Sequence, residues 1–417
     1  MKPSKLNHPA YPLAARKTHR PRSARRPNRS APESGETMTD APNLVRGLAG
    51  VPCAESTIAY IDGQVGKLQY RGYRIEELAA HCSFEEVVYL LLEGELPTAE
   101  QLSGFNTALR ADRALPDGVL QLIKAFPASA HPMDVLQSVV AAMAAFIPCK
   151  DTSDGPVRRA AIRRLIATMP TIITAFARCR GGHEPVTPRD DLSHAANFLY
   201  MLTGEEAAPV TVTTMNAAFV LHAEHTMNAS TFTARVVGST LADPCSVIAG
   251  AIGSLSGPLH GGANERVLHL LDEIGNLDQV DAVIGGKIER KEKIMGLGHR
   301  VYKTKDPRAK VLQGLAKELF TELGIDTRYE IARRIEQIAT DRLGHKGIYP
   351  NVDFYSGIVY ARMGIERDLF TPIFALARVS GWLAHWQEQL EDNRIFRPSQ
   401  VFVGHDDRSF VALDQRG

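Results

Sequence analysis

Apolar residues recur every three or four positions along much of this chain, which is the spacing of one face of an α-helix. The segment "FTPIFALARVSGWLAHWQEQLEDN" shows the pattern at Ile373, Leu376, Val379, Leu383, Trp386 and Leu390. Within it, Thr371 precedes Pro372, and a threonine N-cap followed by proline is a common helix start. The segment therefore predicts a helix that begins just after Thr371.

Shorter segments carry their own helix signals. Ser83 is followed three positions later by Glu86, and Thr98 is followed in the same way by Gln101. Both pairs have the spacing of a capping box, in which each member satisfies a backbone amide of the other. Gly94 then marks the end of the first of these two helices.

One segment near the N-terminus predicts β structure instead. In "STIAYIDGQVGKLQYRGY", residues 57–61 and 67–70 alternate in polarity, and the turn formers Asp62, Gly63 and Gly66 lie between them. Nowhere do strands and helices alternate over a length that a parallel sheet requires. The predicted fold is mainly α, with a small N-terminal β-hairpin.

Composition narrows the class of protein. The chain has 417 residues, is 44% hydrophobic and carries a formal net charge of +1 at pH 7, so it is no nucleic-acid binder as a whole. The apolar segment "SVVAAMAAFIP" ends at Pro148 and is too short for a membrane span, which takes about 18 residues; it predicts a buried helix. The five cysteines form no CxxC pair, which argues against a zinc site and indicates a reducing compartment.

Residues 1–37 form a basic segment, in which nine lysines and arginines precede the first acid, Glu33. Its prolines, serines and few large apolar residues predict a disordered tail. Three interpretations are open: a mitochondrial presequence, which the prolines disfavour; a nucleic-acid-binding arm; or an upstream extension of a functional chain that begins near Met38. The third is preferred.

Standard catalytic templates fail in this chain. Gly296 and Gly298 begin a GxGxxG pattern, but Val301 occupies the third glycine position. "IGGKIER" lacks the upstream glycine of a phosphate-binding loop, because position 281 is Asp, and "LHAEH" is not HExxH. Nucleotide hydrolysis, simple dehydrogenase chemistry and zinc protease chemistry are therefore disfavoured.

Several polar clusters lie within apolar helical surroundings. They carry His222 and His225 (predicted to share one helix face), His260, His299, Lys303, Lys305, Arg308, Asp353, Arg378 and Arg397. Taken singly, each is unremarkable. Together, arginines suit a substrate with two or more carboxylates. A carboxylate base beside neutral histidine donors suits proton abstraction next to a carbonyl group, and the glycine-rich basic loop 295–310 suits a phosphate-bearing cosubstrate.

From about Gly47 onward the sequence closely resembles citrate synthases, and most nearly bacterial ones. The resemblance rests on "STIAYIDGQVGKLQYRGY", "LHAEHTMNASTFTARV", "GPLHGGANE", "IMGLGHRVYKTKDPRAK", "PNVDFYSG" and "RPSQVFVG", which occur in the family's order. It implies the family's two-domain helical fold and its reaction: condensation of acetyl-CoA with oxaloacetate and hydrolysis of citryl-CoA, the entry step of the tricarboxylic acid cycle.

The resemblance also implies roles for individual residues. Asp353 matches the base that deprotonates acetyl-CoA, His260 the donor that stabilises the enol, and His299 the acid that protonates the oxaloacetate carbonyl. The matched oxaloacetate ligands are His222, His225, Asn228, Arg308, Arg378 and Arg397. Ser230 matches a residue that orients the enol-stabilising histidine. In "PLHGGANE", Gly261 and Gly262 are expected to leave room for backbone or for the thioester to approach His260.

The CoA site and the assembly follow from the same resemblance. The expected CoA contacts are Ile294, Met295, Gly296, Leu297, Gly298 and Lys303, with no metal and no tightly bound cofactor. A small domain at 262–365 would close over the site, inserted between the parts 38–261 and 366–417 of a large helical domain. Arg397 would complete the site of the neighbouring subunit in a homodimer, and the enzyme would be a bacterial cytoplasmic protein, bound to neither membrane nor nucleic acid.

Two alternatives stay open. 2-Methylcitrate synthases use propionyl-CoA with the same catalytic residues, and "HPMDV" and "FVALDQRG" also resemble them. One methylene group in an apolar pocket is worth only about 1–3 kcal/mol of discrimination, so motifs around the polar groups do not separate the two activities. The other alternative is a non-catalytic paralogue or interaction protein whose basic tail binds nucleic acid.

Overall fold

The structure of the protein is a computed structural model, and it describes residues 44–147, 151–405 and 407–416. The basic tail predicted at residues 1–37 lies outside the described residues. The chain divides into two compact units, of which residues 52–398 form the larger. The other comprises the two ends of the chain; its described parts contain short 3-10 turns at Arg46–Leu48 and Leu413–Gln415 and exposed apolar side chains such as Phe402 and Phe410.

The larger unit is mainly helical, as predicted. Its strands are β1 (Ala59–Asp62), β2 (Lys67–Tyr70) and β3 (Tyr73–Arg74). The helices are α1 (Ile75–His81), α2 (Phe84–Glu93), α3 (Ala99–Ala111), α4 (Asp117–Ala125), α5 (Pro132–Ala142), α6 (Gly155–Arg180), α7 (His194–Thr203), α8 (Pro209–His222), α9 (Ala229–Gly238), α10 (Pro244–Ser256), α11 (Ala263–Ile274), α12 (Val280–Glu289), α13 (Pro307–Leu323), α14 (Thr327–Leu343), α15 (Val352–Arg362) and α16 (Phe370–Glu391).

Helix α16 passes through the core of this unit and packs against α2, α6, α8, α9 and α10. Trp382 and Trp386 are fully buried on it. Its predicted start is wrong by two residues, because a 3-10 turn at Arg367–Leu369 runs directly into the helix. Thr371 therefore lies in the first turn, and its hydroxyl donates to Glu265 Oε1 at 2.7 Å instead of capping.

The other helix signals are confirmed. Ser83 with Glu86 and Thr98 with Gln101 form complete capping boxes, and Gly94 ends α2 in the left-handed conformation. The segment "SVVAAMAAFIP" contributes the buried end of α5 and a following 3-10 turn.

Helix α6 is the one described helix whose length and apolar composition would suffice to cross a membrane. The sequence prediction singled out no apolar run of that length. Within the protein, 78% of its most apolar window is buried, and it packs against α5, α7 and α16. Such burial is typical of a core helix in a large helical fold.

The predicted hairpin is confirmed and extended by one short strand. Strands β1 and β2 pair antiparallel from Ala59 opposite Tyr70 to Asp62 opposite Lys67, and β2 then pairs with β3. Asp62 Oδ1 accepts from the amide of Gln64 at 2.9 Å and stabilises the turn. Tyr70 is fully buried, so the sheet is anchored to the helices at the end opposite the turn.

Candidate active site

The predicted site residues lie at the starts and ends of helices. His225 follows α8, His260 lies between α10 and α11, and His299 and Arg308 flank the start of α13. Asp353 is the second residue of α15, and Arg378 lies in the middle of α16. The charge of Arg378 is near enough to lower the pKa of His225, His260 and Asp353.

His225 and His299 meet directly. Their ring centroids are 5.3 Å apart, and the hydroxyl of Tyr302 lies 3.2 Å from His225 Nε2. The prediction that His222 and His225 share a helix face is wrong, because α8 ends at His222 and the chain turns. Burial lowers the pKa of His225 well below its usual value, so the ring is neutral at physiological pH.

The tautomer of His299 follows from its backbone contacts. Its Nδ1 accepts from the amides of Val301 at 3.0 Å and Tyr302 at 3.3 Å. Burial, reinforced by the Arg308 charge, lowers the pKa of His299 to about 4. A neutral imidazole carries one proton, and since Nδ1 accepts, that proton is on Nε2. His299 therefore offers Nε2–H as a donor.

His260 has the opposite tautomer. Its Nε2 accepts from the amide of Ser230 at 3.2 Å and lies 2.8 Å from the Ser230 hydroxyl, which is itself fixed by Trp382 Nε1 at 3.1 Å. Burial, with a contribution from the Arg378 charge, lowers the pKa of His260 to about 4. The proton is therefore on Nδ1. Ser230, predicted to orient a catalytic histidine, has contacts that suit this role.

Asp353 is held at the start of α15 by the N-cap residue Asn351, whose Oδ1 accepts from the Asp353 amide at 3.0 Å. A helix start alone favours the carboxylate. Nevertheless burial dominates and raises the pKa of Asp353 to about 6, although the charges of Arg308 and Arg378 oppose this shift. The group is thus ionised at neutral pH but is a much stronger base than an exposed aspartate.

Two buried arginines supply positive charge. Arg308 donates to the carboxylate of Asp306 from Nε at 3.1 Å and from Nη2 at 2.8 Å. Burial lowers the pKa of Arg308, but the Asp306 carboxylate together with Tyr302 and Tyr70 outweighs this and raises it above the usual value. Arg378 donates from Nε to the carbonyl of His222 at 2.6 Å, while its Nη2 is buried without a partner among the described residues.

His222 contributes a second unpaired group. Its Nδ1 lies 2.7 Å from the carbonyl oxygen of Ala218, so Nδ1 donates and Nε2 is a buried acceptor without a described partner. Burial lowers the pKa of His222 to about 3. Buried polar atoms are usually paired, so the unpaired atoms of His222 and Arg378 indicate a place where a polar ligand binds.

Asn228 has a local structural role. Its Oδ1 accepts from the Ser230 hydroxyl at 2.8 Å and the Thr231 amide at 3.1 Å, which caps α9. Its amide nitrogen lies 3.4 Å from the carbonyl of His225. Both ends of the side chain are therefore engaged in shaping the turn between α8 and α9.

The loop 294–298 is hydrogen-bonded to Asn351, the N-cap residue of the helix that carries Asp353. The Asn351 amide donates to Gly296 O at 2.9 Å, and its side chain donates to Gly298 O at 2.9 Å. A surface pocket of about 280 Å³ lies beside the loop, with Ile294, Leu297 and Gly298 in its wall. Lys291, Lys293 and Lys346 also line it, which makes the pocket suitable for an anionic ligand.

Two predicted residues are exposed. Lys303 contacts the hairpin through its backbone, where its amide donates to Gly63 O at 2.8 Å. Arg397 is exposed, and no described hydrogen bond or ion pair joins it to the other site residues. Among the described residues, no group of three or more His, Cys, Asp or Glu side chains is arranged to hold a metal ion.

Three residues of the site were not predicted from the sequence: Tyr302, Asp306 and Asn351. Asp306 directly precedes Pro307 and Arg308, and an acid before proline at a helix start is a recognisable N-cap signal. Asn351 directly precedes α15, and asparagine is a favoured N-cap residue. Nothing in the sequence indicated that Tyr302 would reach His225, because the two residues are far apart in the chain.

Comparisons with known proteins show which family the chain belongs to. The family model for the "Citrate synthase, C-terminal domain" matches residues 47–399. A citrate synthase of Synechocystis sp. is 50% identical over 379 residues, which are 91% of this chain and 96% of that protein. The crystal structure of citrate synthase from Pyrobaculum aerophilum is 41% identical with a TM-score of 0.84, covering 89% of this chain and 95% of that one. Citrate synthase from Thermoplasma acidophilum, solved as a ternary complex with carboxymethyl coenzyme A and oxaloacetate, is 36% identical with a TM-score of 0.84, covering 89% and 99%.

Proposed function

Because this chain belongs to the citrate synthase family, we propose that it condenses acetyl-CoA with oxaloacetate and hydrolyses citryl-CoA to citrate and CoA. The observation that carries this proposal is the protonation pattern of the site. A carboxylate with a raised pKa faces the same centre as two neutral histidines, each of which has a defined donor nitrogen.

Asp353 is the proposed base. The methyl protons of a thioester are very weakly acidic, and a base acts best when its pKa lies near the working pH. Burial raises the pKa of Asp353 to about 6, so the carboxylate is both ionised at pH 7 and more basic than usual. It takes a methyl proton from acetyl-CoA, and the electron pair moves toward the thioester oxygen.

His260 receives the developing charge on that oxygen. Since its Nε2 accepts from Ser230, the proton on Nδ1 is free to bond the enolate oxygen. A neutral donor that is already oriented needs no reorganisation during the reaction. Ser230 and Trp382 thus support the enol through His260.

His299 acts on the other substrate. Its Nε2–H is the proposed donor to the carbonyl oxygen of oxaloacetate, which becomes a hydroxyl as the new carbon–carbon bond forms. Because Nδ1 accepts two backbone amides, the ring cannot easily exchange tautomers or rotate.

Oxaloacetate is the proposed partner of the buried arginines. Its carboxylates fit the unpaired Nη2 of Arg378 and the cation Arg308, with His222 and His225 alongside. Charge-assisted hydrogen bonds of arginine to carboxylates are stronger than neutral ones. The dianion would also bring negative charge to Arg378, whose guanidinium has no described ion pair, whereas Arg308 is already paired with Asp306.

Acetyl-CoA is proposed to bind along the loop 294–298. The pocket beside it has apolar walls for the adenine ring and the lysines Lys291, Lys293 and Lys346 for phosphates. Asn351 joins this loop to Asp353, so CoA binding and placement of the base are mechanically linked. Lys303 is exposed nearby in sequence and is a further candidate for a phosphate contact.

We also propose the predicted division into a large domain, 38–261 with 366–417, and a small domain, 262–365. Two glycines with positive φ, Gly262 at 72° and Gly364 at 76°, fall at its boundaries. His225 and Arg378 then belong to one domain, and His299, Arg308 and Asp353 to the other. The contact of His225 with His299 then joins the two domains, and this closed arrangement would exclude water from the enol.

The proposed assembly is a homodimer in the cytoplasm, in which Arg397 binds oxaloacetate in the partner's site. The exposure of Arg397 and its lack of a described partner favour this arrangement. Nucleic-acid or membrane binding has no support among the described residues.

One assay tests the proposed activity. Purified protein is mixed with oxaloacetate and either acetyl-CoA or propionyl-CoA, and release of the CoA thiol is followed. We expect higher kcat/KM with acetyl-CoA. Higher kcat/KM with propionyl-CoA would instead identify a 2-methylcitrate synthase, and no release with either thioester would favour a non-catalytic paralogue.

A further inference from the structure

We infer that the N-terminal hairpin is a positioning element for catalysis, because one end of it holds the turn that carries His225 and the other end receives the loop that carries His299. The inference rests on the proposed condensation, in which these two histidines serve oxaloacetate. The residues that act are Tyr70 and Gly63, neither of which is among the proposed substrate ligands.

Tyr70 holds the turn after α8. Its buried hydroxyl donates to Glu224 O at 2.8 Å and accepts from the Glu224 amide at 3.2 Å. The last carbonyls of a helix lack partners within the helix, and here the Val220 carbonyl also lies 3.2 Å from this hydroxyl. Tyr70 therefore fixes both the end of α8 and the residue directly before His225.

Gly63 contacts the loop that carries His299. Its carbonyl accepts from the Lys303 amide at 2.8 Å. A β-carbon at Gly63 would overlap the carbonyl oxygen of Val301, so the two backbones are in the closest contact that glycine allows. The turn residue Gly66 packs in the same way on Thr304, whose methyl group would lie 2.8 Å from a β-carbon there.

The contact at Gly63 acts on the imidazole ring of His299 through Val301. Val301, whose carbonyl meets Gly63, donates its amide to His299 Nδ1 at 3.0 Å. A shift of the Val301 peptide therefore rotates or displaces the His299 ring. The same ring lies 5.3 Å from His225, between centroids, and both contact Tyr302.

The hairpin is suited to fix the spacing of the two loops. Its ladder runs from Ala59 opposite Tyr70 to Asp62 opposite Lys67, a span of roughly 10 Å at about 3.4 Å per residue. Two antiparallel strands joined by a tight turn and anchored by a buried tyrosine deform little over that length. In the proposed domain division, the hairpin belongs to the large domain and the His299 loop to the small one. The contact between Gly63 and this loop therefore joins the two domains when they are closed.

Gly63→Ala isolates the contact. The φ of Gly63 lies outside the left-handed region, so alanine is tolerated by the local backbone; the three atoms nearest to the added methyl group all belong to Val301 in the His299 loop. We expect kcat to fall about ten- to hundredfold, because displacing a catalytic group on the order of 1 Å has such an effect. Oxaloacetate affinity, held mainly by Arg378, should fall much less.

The control is Gly104→Ala, in α3, where a β-carbon meets nothing within 4 Å. Wild type and both variants are compared by CoA thiol release, by calorimetric titration with oxaloacetate, and by thermal unfolding. Tyr70→Phe forms a second arm, in which loss of the hydroxyl should raise the KM for oxaloacetate about tenfold by loosening the His225 turn.

Unchanged kcat in Gly63→Ala would overturn the inference, as would equal losses of kcat and oxaloacetate affinity or loss of the folded state, which would mark a general packing role. An inactive wild-type protein would instead reject the proposed function itself. The expected result is a fall in kcat that exceeds the fall in oxaloacetate affinity, in a protein that still unfolds in one cooperative transition, at a temperature below that of Gly104→Ala because of the overlap with Val301.

Discussion

At the scale of single residues, burial determines the protonation state of each catalytic group in the site. His260 and His299 have pKa values lowered to about 4 by burial, whereas burial raises the pKa of Asp353 to about 6. Burial disfavours the charged form in each case. As a result, the histidines stay neutral donors at every pH at which the aspartate is an ionised base.

The first prediction at this scale concerns pH. Since Asp353 acts as a base only when ionised, kcat should fall as pH decreases through about 6, with no ionisation of His260 or His299 between pH 6 and 8. Asp353→Asn should reduce kcat about 10²–10⁴-fold while calorimetry shows oxaloacetate binding nearly intact. Equal loss of binding and turnover would contradict the role of base.

The same raised pKa predicts that removing the charge of Asp353 stabilises the fold at pH 7. Below pH 4 the unfolded and folded states both bind the Asp353 proton, but between about 4 and 6 the folded state binds more, so the free energy of unfolding falls as pH rises. At pH 7 the buried carboxylate therefore destabilises the fold. Asp353→Asn should raise the free energy of unfolding by about 1–3 kcal/mol, measured by denaturant titration at pH 7.

At the scale of elements, the turn between α10 and α11 shows why "PLHGGANE" needs its glycines. A β-carbon at Gly261 would overlap the carbonyl oxygen of Leu255 and lie 3.0 Å from Thr371 Cγ2. Gly262 has open space but a φ of 72°. Both glycines were expected to leave room beside His260. The structure gives each its own physical reason: Gly261 allows a close backbone contact, and Gly262 allows a left-handed turn.

These two reasons predict different outcomes for alanine. Gly261→Ala should lower the free energy of unfolding by about 1–3 kcal/mol through overpacking and reduce kcat, because His260 is the preceding residue. Gly262→Ala should cost about 1 kcal/mol through its backbone conformation and affect kcat less. Denaturant titration and the thiol assay measure both, and the reverse order would refute the packing argument.

At the scale of the whole molecule, the proposed role of Arg397 requires two subunits. In a homodimer the same residue would serve each site from the opposite chain. Arg397→Leu and Asp353→Asn should then each be nearly inactive alone, since every site lacks one group.

Coexpression of these two variants tests the exchange. In a mixed dimer one site has both an intact Asp353 and an intact Arg397 from its neighbour, so about a quarter of all sites should be active in a random mixture. Thiol release near that level is the expected result. Activity no higher than that of either variant alone would show that Arg397 serves no neighbouring site.

Local signals in the sequence sufficed for much of the fold. The capping boxes at Ser83 and Thr98, the hairpin turn and the periodicity of α16 depend on residues within a few positions of one another, so they can be recognised without the fold. The start of α16 was misplaced because a preceding 3-10 turn, and not the side chain of Thr371, sets it. His225 was misplaced for a related reason, since the turn after α8 is held by Tyr70, about 150 residues earlier.

The sequence by itself determined the family, the helical class and the residue types of the site, because these depend on composition, periodicity and ordered motifs. Only the tertiary structure decided which nitrogen of His260 and His299 carries the proton and whether burial or the helix start controls the pKa of Asp353. It also decided what fills the space around Gly63 and Gly261. Those properties depend on burial and on hydrogen bonds between distant segments, which no stretch of sequence specifies alone.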